Sequence, residues 1–316
     1  MNILHITVHM GGGLGTVIGS WVKKDRVNHH RIVCLDYVNE KAIRELIEFL
    51  LLNQDTRKCI PEADIVVCHF YDHPMLYDFL SKPLPRCRLV FWAHKNFLIS
   101  EKYLTYPDLF LDTSPIQGHG RHIWSTGDIS RFLEIKPKAH EGFNIGTVAS
   151  PKMHPRFFEM CEEINRRVPK ARFTILGENK FVCNKHTYKN VGKIDDVSPY
   201  LAEMDCFFYP LRKNHFGTAE QVLGETLSAG IVPVTMDNAA ERLIINHGEN
   251  GMRAINEMEA IQYVKMLYDK PHFREILSKN ARNTASKIYN IDTMIKQWDE
   301  VFEEMMKEPK KGREGI

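Results

Sequence analysis

The 316-residue chain has no long apolar run, no strong charge of either sign and no repeat. No apolar run approaches the 18 residues a membrane span needs. The 42 basic residues against 40 acidic ones leave a formal charge of +2, which points to no dedicated nucleic-acid or membrane-surface binder. Seven cysteines are scattered without a CxxC pair, so neither a disulfide framework nor a zinc finger is expected, and the reading is a reducing compartment. Met1-Asn2 carries no basic run, and His5, Thr7 and His9 interrupt the apolar residues 3–10, so no secretory leader is expected. The tail at 308–316 has little to pack and is expected to fray.

What is present is ordinary globular composition, 43% hydrophobic and 26% charged, in a length that suits two domains. Short apolar runs alternate with helical patterns, the signature of an α/β chain with parallel sheets. In the first half, strands are expected at 2–8, 31–36, 64–69, 88–93 and 108–112. An amphipathic helix is expected over 41–52 from apolar positions at 42, 43, 46, 47, 50 and 51. Glycines and Pro137 punctuate residues 118–142, which places a joint near 135–142. The second half restarts with strands at 144–148, 172–176, 206–209 and 231–235. Helices are expected at 155–167, 219–229, 271–289 and 292–306. The domains so drawn are 1–138 and 139–290, with 291–316 as a helix crossing back to the first domain plus the tail. Two such sheets offer their carboxyl-end loops as the walls of a cleft.

Four segments could carry chemistry. Gly11-Gly-Gly-Leu-Gly15 follows the first strand, and Gly12 and Gly13 would let backbone approach a ligand. It is a poor dinucleotide fingerprint, because Ile18 stands where the third small residue belongs. Asp36, about 20 residues on, keeps an NAD(P)-linked oxidoreductase as an alternative. Further along, Gly217 and Thr218 are expected to open a helix, with Thr218 as its N-cap and free amides at 217–221 facing an anion. Glu220 and Glu225 follow on that helix, and a carboxylate there suits the vicinal diol of a ribose or sugar. Lys152, just past a strand end, is a point charge for a diphosphate, with Arg212 or Lys213 as a second. His94 ends a strand and could bond a sugar hydroxyl or move a proton. His69-x-x-x-His73 has ligand spacing, but Pro74 follows at once and no metal is assigned.

These segments, in order, resemble the retaining GT-B glycosyltransferases of the glycogen-synthase and sucrose-synthase-like group, group 1, family 4. Residues 215–234 are similar to the donor-site helix that reads roughly E-x-F-G…E-A-x-A-x-G-x-P-V-V. Met1–Thr7 with the glycines, Trp124–Phe132, Ile145–Lys152, Phe173–Gly177, 190–210 and Glu241–Gly251 match other family segments. Gly217 stands where the family's first glutamate is expected, and Thr147 where a phosphate-binding arginine is usual.

The resemblance implies two facing Rossmann-like domains with a cleft between them. It implies a metal-independent retaining transferase that uses a nucleotide-sugar, UDP- or GDP-linked, with no other cofactor. The absence of any Asp-x-Asp fits this, since that pair holds Mg²⁺ or Mn²⁺ on a diphosphate. It implies donor binding by Gly12, Gly13, Lys152, Arg212, Gly217, Thr218, Glu220 and Glu225, and catalytic roles for His94, Glu220 and Lys152. The acceptor stays open between a glycan, a lipid-linked sugar, a small metabolite, a protein and a modified nucleic-acid base. Trp21, Lys23, Lys24, His29, His30 and Arg31 are read as a rim that would suit an anionic one. The expected location is cytoplasmic, with the membrane's inner face as an option. A nucleotide-sugar epimerase and a non-catalytic nucleotide-sugar binder stay as alternatives.

Overall fold

Alternating apolar segments become two parallel sheets in a computed structural model, which describes residues 1–95, 98–150, 152–177 and 187–316. Pro151 and Cys183 lie outside the described residues. The chain divides into two units. One is Met1–Asp128 with Gly217–Ala219 and Asn290–Ile316, and the other is Ile129–Phe216 with Glu220–Tyr289.

The first unit runs β1 (Asn2–His9), α1 (Gly12–Lys24), β2 (His29–Tyr37), α2 (Glu40–Leu46), α3 (Thr56–Cys59) and β3 (Ile65–Phe70). It continues with α4 (Pro74–Leu80), β4 (Leu84–Cys87), β5 (Leu89–Ala93), α5 (Glu101–Thr105) and β6 (Leu109–Asp112). The second carries α6 (Ser130–Leu133), β7 (Phe143–Val148), α7 (Phe157–Arg167), β8 (Ala171–Leu176), β9 (Tyr188–Gly192), α8 (Ser198–Leu201) and β10 (Cys206–Tyr209). Then come α9 (Gln221–Ser228), β11 (Val232–Met236), α10 (Ala239–Ile244), β12 (Met252–Ala254), α11 (Glu257–Asp269) and α12 (Pro271–Ile288). The chain closes with α13 (Ile291–Met305) and β13 (Lys311–Arg313) of the first unit.

The first unit's sheet is ordered β2-β1-β3-β5-β6 and is parallel throughout. Strands this buried read as continuous apolar runs, as β3 and β5 do. On one face Trp21 of α1 and Trp298 and Phe302 of α13 pack with Ile3, Val67 and Trp92. That burial, at roughly 2–3 kcal/mol per large side chain, holds the last helix in this unit. The second sheet is ordered β12-β11-β10-β7-β8-β9, also parallel. Its strand order reverses between β7 and β10, and in such sheets ligands bind outside the carboxyl ends at that reversal.

The structure departs from the sequence reading in several places. The helix expected over 41–52 stops at Leu46. Residues 49–51 instead bond the open edge of β2, where the Ile32 amide donates to the Phe49 carbonyl (2.8 Å) and the Leu51 amide to the Ile32 carbonyl (2.9 Å). An edge strand's free amides and carbonyls outweigh the last helical turn. Strands β9 and β12 and helix α11 were not expected. The tail is not frayed, since β13 pairs antiparallel with β4. The guanidinium of Arg313 meets the carboxylate of Asp108, both side chains under a tenth exposed. Finally, the residues read as a rim separate: Trp21 and His30 are fully buried.

Segment 133–138 bonds into the second unit. Arg282 of α12 donates to the carbonyls of Leu133, Ile135, Ser228 and Ala229 at 2.7–2.9 Å, and the Lys138 amide donates to Ala202.

Candidate donor site in the second unit

Three carboxyl-end loops of the second sheet meet where its order reverses. The loop after β7 is zipped to the loop after β10, with the His154 amide donating to the Pro210 carbonyl and the Arg212 amide to the Lys152 carbonyl, both at 2.8 Å. This brings the Lys152 ammonium to 2.5 Å from the Glu220 carboxylate. The Glu220 side chain is 3% exposed and that of Lys152 14%, so the pair is largely taken from water. Lys152 Nζ also lies 5.6 Å from the centre of the Phe216 ring. From the loop after β11, Glu241 on α10 bonds His215 Nε2 at 2.9 Å, both fully buried. His215 Nδ1 lies 3.9 Å from Glu220. Tyr209 reaches Glu220 Oε2 at 3.4 Å. Burial raises the Tyr209 phenol far above its ordinary value and Glu220 adds to this, so it stays protonated and donates.

Glu220 itself is bent. Its φ of 33° and ψ of 71° put a residue with a Cβ in left-handed backbone, where it caps α9 without a side-chain bond. Its carbonyl accepts the Tyr289 hydroxyl at 3.0 Å. The Tyr289 ring fits because residue 224 is glycine, as a Cβ there would stand 2.7–2.8 Å from ring carbons.

The expected site residues fall as follows. Lys152 and Glu220 come together, Glu225 sits half-buried one turn into α9, and Arg212 is exposed on the zipped loop. Thr218 does not cap the helix, which starts at Gln221, so the amides of 217–219 precede it. Gly217 and Thr218 group with the first unit, where Thr218 donates to the His94 carbonyl at 3.4 Å and bonds Thr113 Oγ1 at 3.0 Å. Gly12 and Gly13 are not a loop but the exposed first turn of α1, at the carboxyl end of β1. His94 follows β5 and bonds His69 at 2.9 Å. His69 has its other nitrogen on His5, and His73 accepts the Met75 amide, so the His69/His73 spacing forms no ligand pair. Gly146 serves packing, because a Cβ there would stand 2.0 Å from Met204 Sδ. Thr147, where arginine is usual, is buried. The His215–Glu241 pair was missed, since only the adjacency of β10 and β11 joins residues 26 apart.

Residues 142–269 match the family model of glycosyl transferases group 1. That stretch of the chain is similar to group 1 glycosyltransferases. The whole chain has the GT-B fold of two Rossmann-like domains. It superposes on HepE from Anabaena in complex with UDP, with 15% identity, a TM-score of 0.74, and 96% of this chain and 100% of that one covered. It also superposes on a glycosyltransferase from Rickettsia africae (11% identity, TM-score 0.74, 97% and 98% covered) and on sucrose-phosphate synthase from Thermosynechococcus elongatus (12%, 0.71, 97% and 99%). No curated protein matches in sequence. Within the matched residues lie Lys152, Arg212, His215, Glu220, Glu225 and Glu241.

Proposed function

We propose that this chain is a retaining glycosyltransferase that moves a sugar from a nucleoside-diphosphate donor, UDP-linked in the first place, to an acceptor and needs no divalent metal. One observation carries the reading: Lys152, Glu220, His215 and Glu241 converge at the reversal of strand order inside the residues that match the family model. HepE structures hold UDP and UDP-glucose, which supports the choice of base.

In this reading Glu225 accepts two ribose hydroxyls. Lys152, with Arg212 and the amides before α9, faces the diphosphate. Negative charge grows on that group as the glycosidic bond breaks, so preorganised cations lower the barrier most there. Glu220 and His94 position the sugar, and Gly12 and Gly13 allow close backbone approach. Glu220 balances the Lys152 ammonium in the structure. A diphosphate would draw that ammonium away, releasing the Glu220 carboxylate toward sugar hydroxyls.

The test is slow hydrolysis of UDP-glucose in excess EDTA, followed by proton NMR. The α-anomer should be released first at an undiminished rate. The β-anomer first would contradict retention, and a rate abolished by EDTA would contradict metal independence.

A further inference from the structure

Four histidines of the first unit stand one to a strand on β2, β1 and β3 and just beyond β5, all neighbours in the sheet. They form an unbroken chain. His94 Nε2 meets His69 Nδ1 at 2.9 Å, His69 Nε2 meets His5 Nδ1 at 3.0 Å, and His5 Nε2 meets His30 Nδ1 at 2.8 Å. His30 Nε2 then meets Asp25 Oδ2 at 2.9 Å. His5, His30 and His69 are fully buried, beneath Trp21 and Trp92.

One end of this chain has a fixed polarity. Asp25 Oδ1 accepts the amides of Val27 (2.8 Å) and Asn28 (3.0 Å), and Oδ2 accepts Asn28 Nδ2 (3.0 Å). Burial pushes the carboxyl up, but the bonds from His30, Asn28 and Val27 outweigh it and hold it below its ordinary range. Three neutral donors thus share Asp25 with His30. A carboxylate only accepts, so His30 carries its proton on Nε2 and offers Nδ1 as a lone pair. His5 must then donate from Nε2, and so must His69 and His94. Other charges at the buried end are Asp299, which accepts Asn28 Nδ2 at 2.9 Å, and the Met1 ammonium, 3.4 Å from Asn28 Oδ1.

We infer that Asp25 is a positioning residue that, through His30, His5 and His69, holds His94 with its proton on Nε2 and its Nδ1 lone pair free to accept a hydrogen bond. His94 Nδ1 makes no hydrogen bond among the described residues. Burial holds the His94 imidazole down to about 3, which keeps it neutral at working pH and so an acceptor on that side. The ligand chemistry it fits is a hydroxyl donor, such as a sugar hydroxyl. That use of His94 rests on the glycosyl-transfer reading, whereas the direction of the chain does not.

Long-range ¹H–¹⁵N NMR of histidine-labelled protein at pH 7.5 reads the tautomer of each ring. The wild type should show all four rings protonated at Nε2 and bare at Nδ1. A proton on Nδ1 of His5, His69 or His94 would overturn the proposal. Asp25→Asn reverses the polarity, because the amide oxygen must take the Oδ1 place facing two backbone amides. Its NH₂ then donates to His30, and each ring in turn moves its proton to Nδ1, His94 included. Unchanged tautomers in a folded Asp25→Asn would remove Asp25 from the role. Asn28 Nδ2 loses an acceptor in that variant, so the wild-type spectrum decides alone if it fails to fold. In turnover of UDP-glucose, Asp25→Asn should lose at least tenfold in kcat with UDP affinity within twofold. A merely structural role would lower both together. A wild type inert toward UDP-glucose would count against the glycosyl-transfer reading alone, with the tautomers still deciding this one.

Discussion

At the residue scale, the candidate donor site is built on a strained Glu220 held by its neighbours. Left-handed backbone at a residue with a Cβ costs on the order of 1 kcal/mol or more and persists where surrounding contacts over-determine it. Here the Tyr289 hydroxyl on the Glu220 carbonyl and the Lys152 ammonium on its carboxylate supply those contacts. Burial, with Glu220, Glu241 and Glu225 nearby, raises the Tyr289 phenol far above its ordinary value, so it donates at every working pH. Tyr289→Phe should therefore lose about 1 kcal/mol of stability in urea unfolding, the worth of one buried hydrogen bond. Unchanged stability would show that Glu220 is held by its side chain alone. Sequence reading singled out Lys152 and Glu220, which the structure brings together, because each sits in a segment with a recognisable neighbourhood. It missed the His215–Glu241 pair and the histidine chain, because each of those residues taken singly is an unremarkable polar group. Strand order, which joins them, is not written in any one segment.

At the element scale, strands buried on both faces were the most legible, since their apolar runs have a single reading. Edges were the least legible. The helix at 40–46 ends early because residues 49–51 bond the rim of β2, and the tail is ordered because β4 offers a rim to β13. The tail's anchor is electrostatic. Burial raises the Asp108 carboxyl, but the Leu89 amide, Arg313 and Lys311 outweigh it and hold it below the ordinary carboxylate range. A group depressed in the folded state stabilises above its unfolded pKa, and that contribution is lost as pH falls through the folded one. Stability of the wild type over Arg313→Met should thus be full at neutral pH and shrink as pH drops below about 4. Measured by urea unfolding across pH 2–7, a difference that stays flat would contradict the pairing. A difference that grows on the acid side would contradict its sign.

At the scale of the whole molecule, each unit holds a parallel sheet whose strand order reverses once, and the candidate site residues lie near those reversals. In the second unit the Lys152–Glu220 pair lies between β7 and β10, and in the first the start of α1 follows β1. The two-domain α/β class was legible from the alternation of runs. The loops proposed to bind the donor stand out by their resemblance to a family, which is denser over the residues that match group 1 glycosyltransferases.

The central claim is a uridine-nucleotide site built on Glu225 and Lys152. Its most direct measurement is calorimetric titration of UDP, GDP and NAD into wild type and Glu225→Ala, all in EDTA. UDP should bind the wild type, and loss of two buried ribose bonds should weaken it by about 2–3 kcal/mol, roughly 30- to 150-fold. Binding of NAD alone, or UDP binding that Glu225→Ala leaves unchanged, would contradict the account.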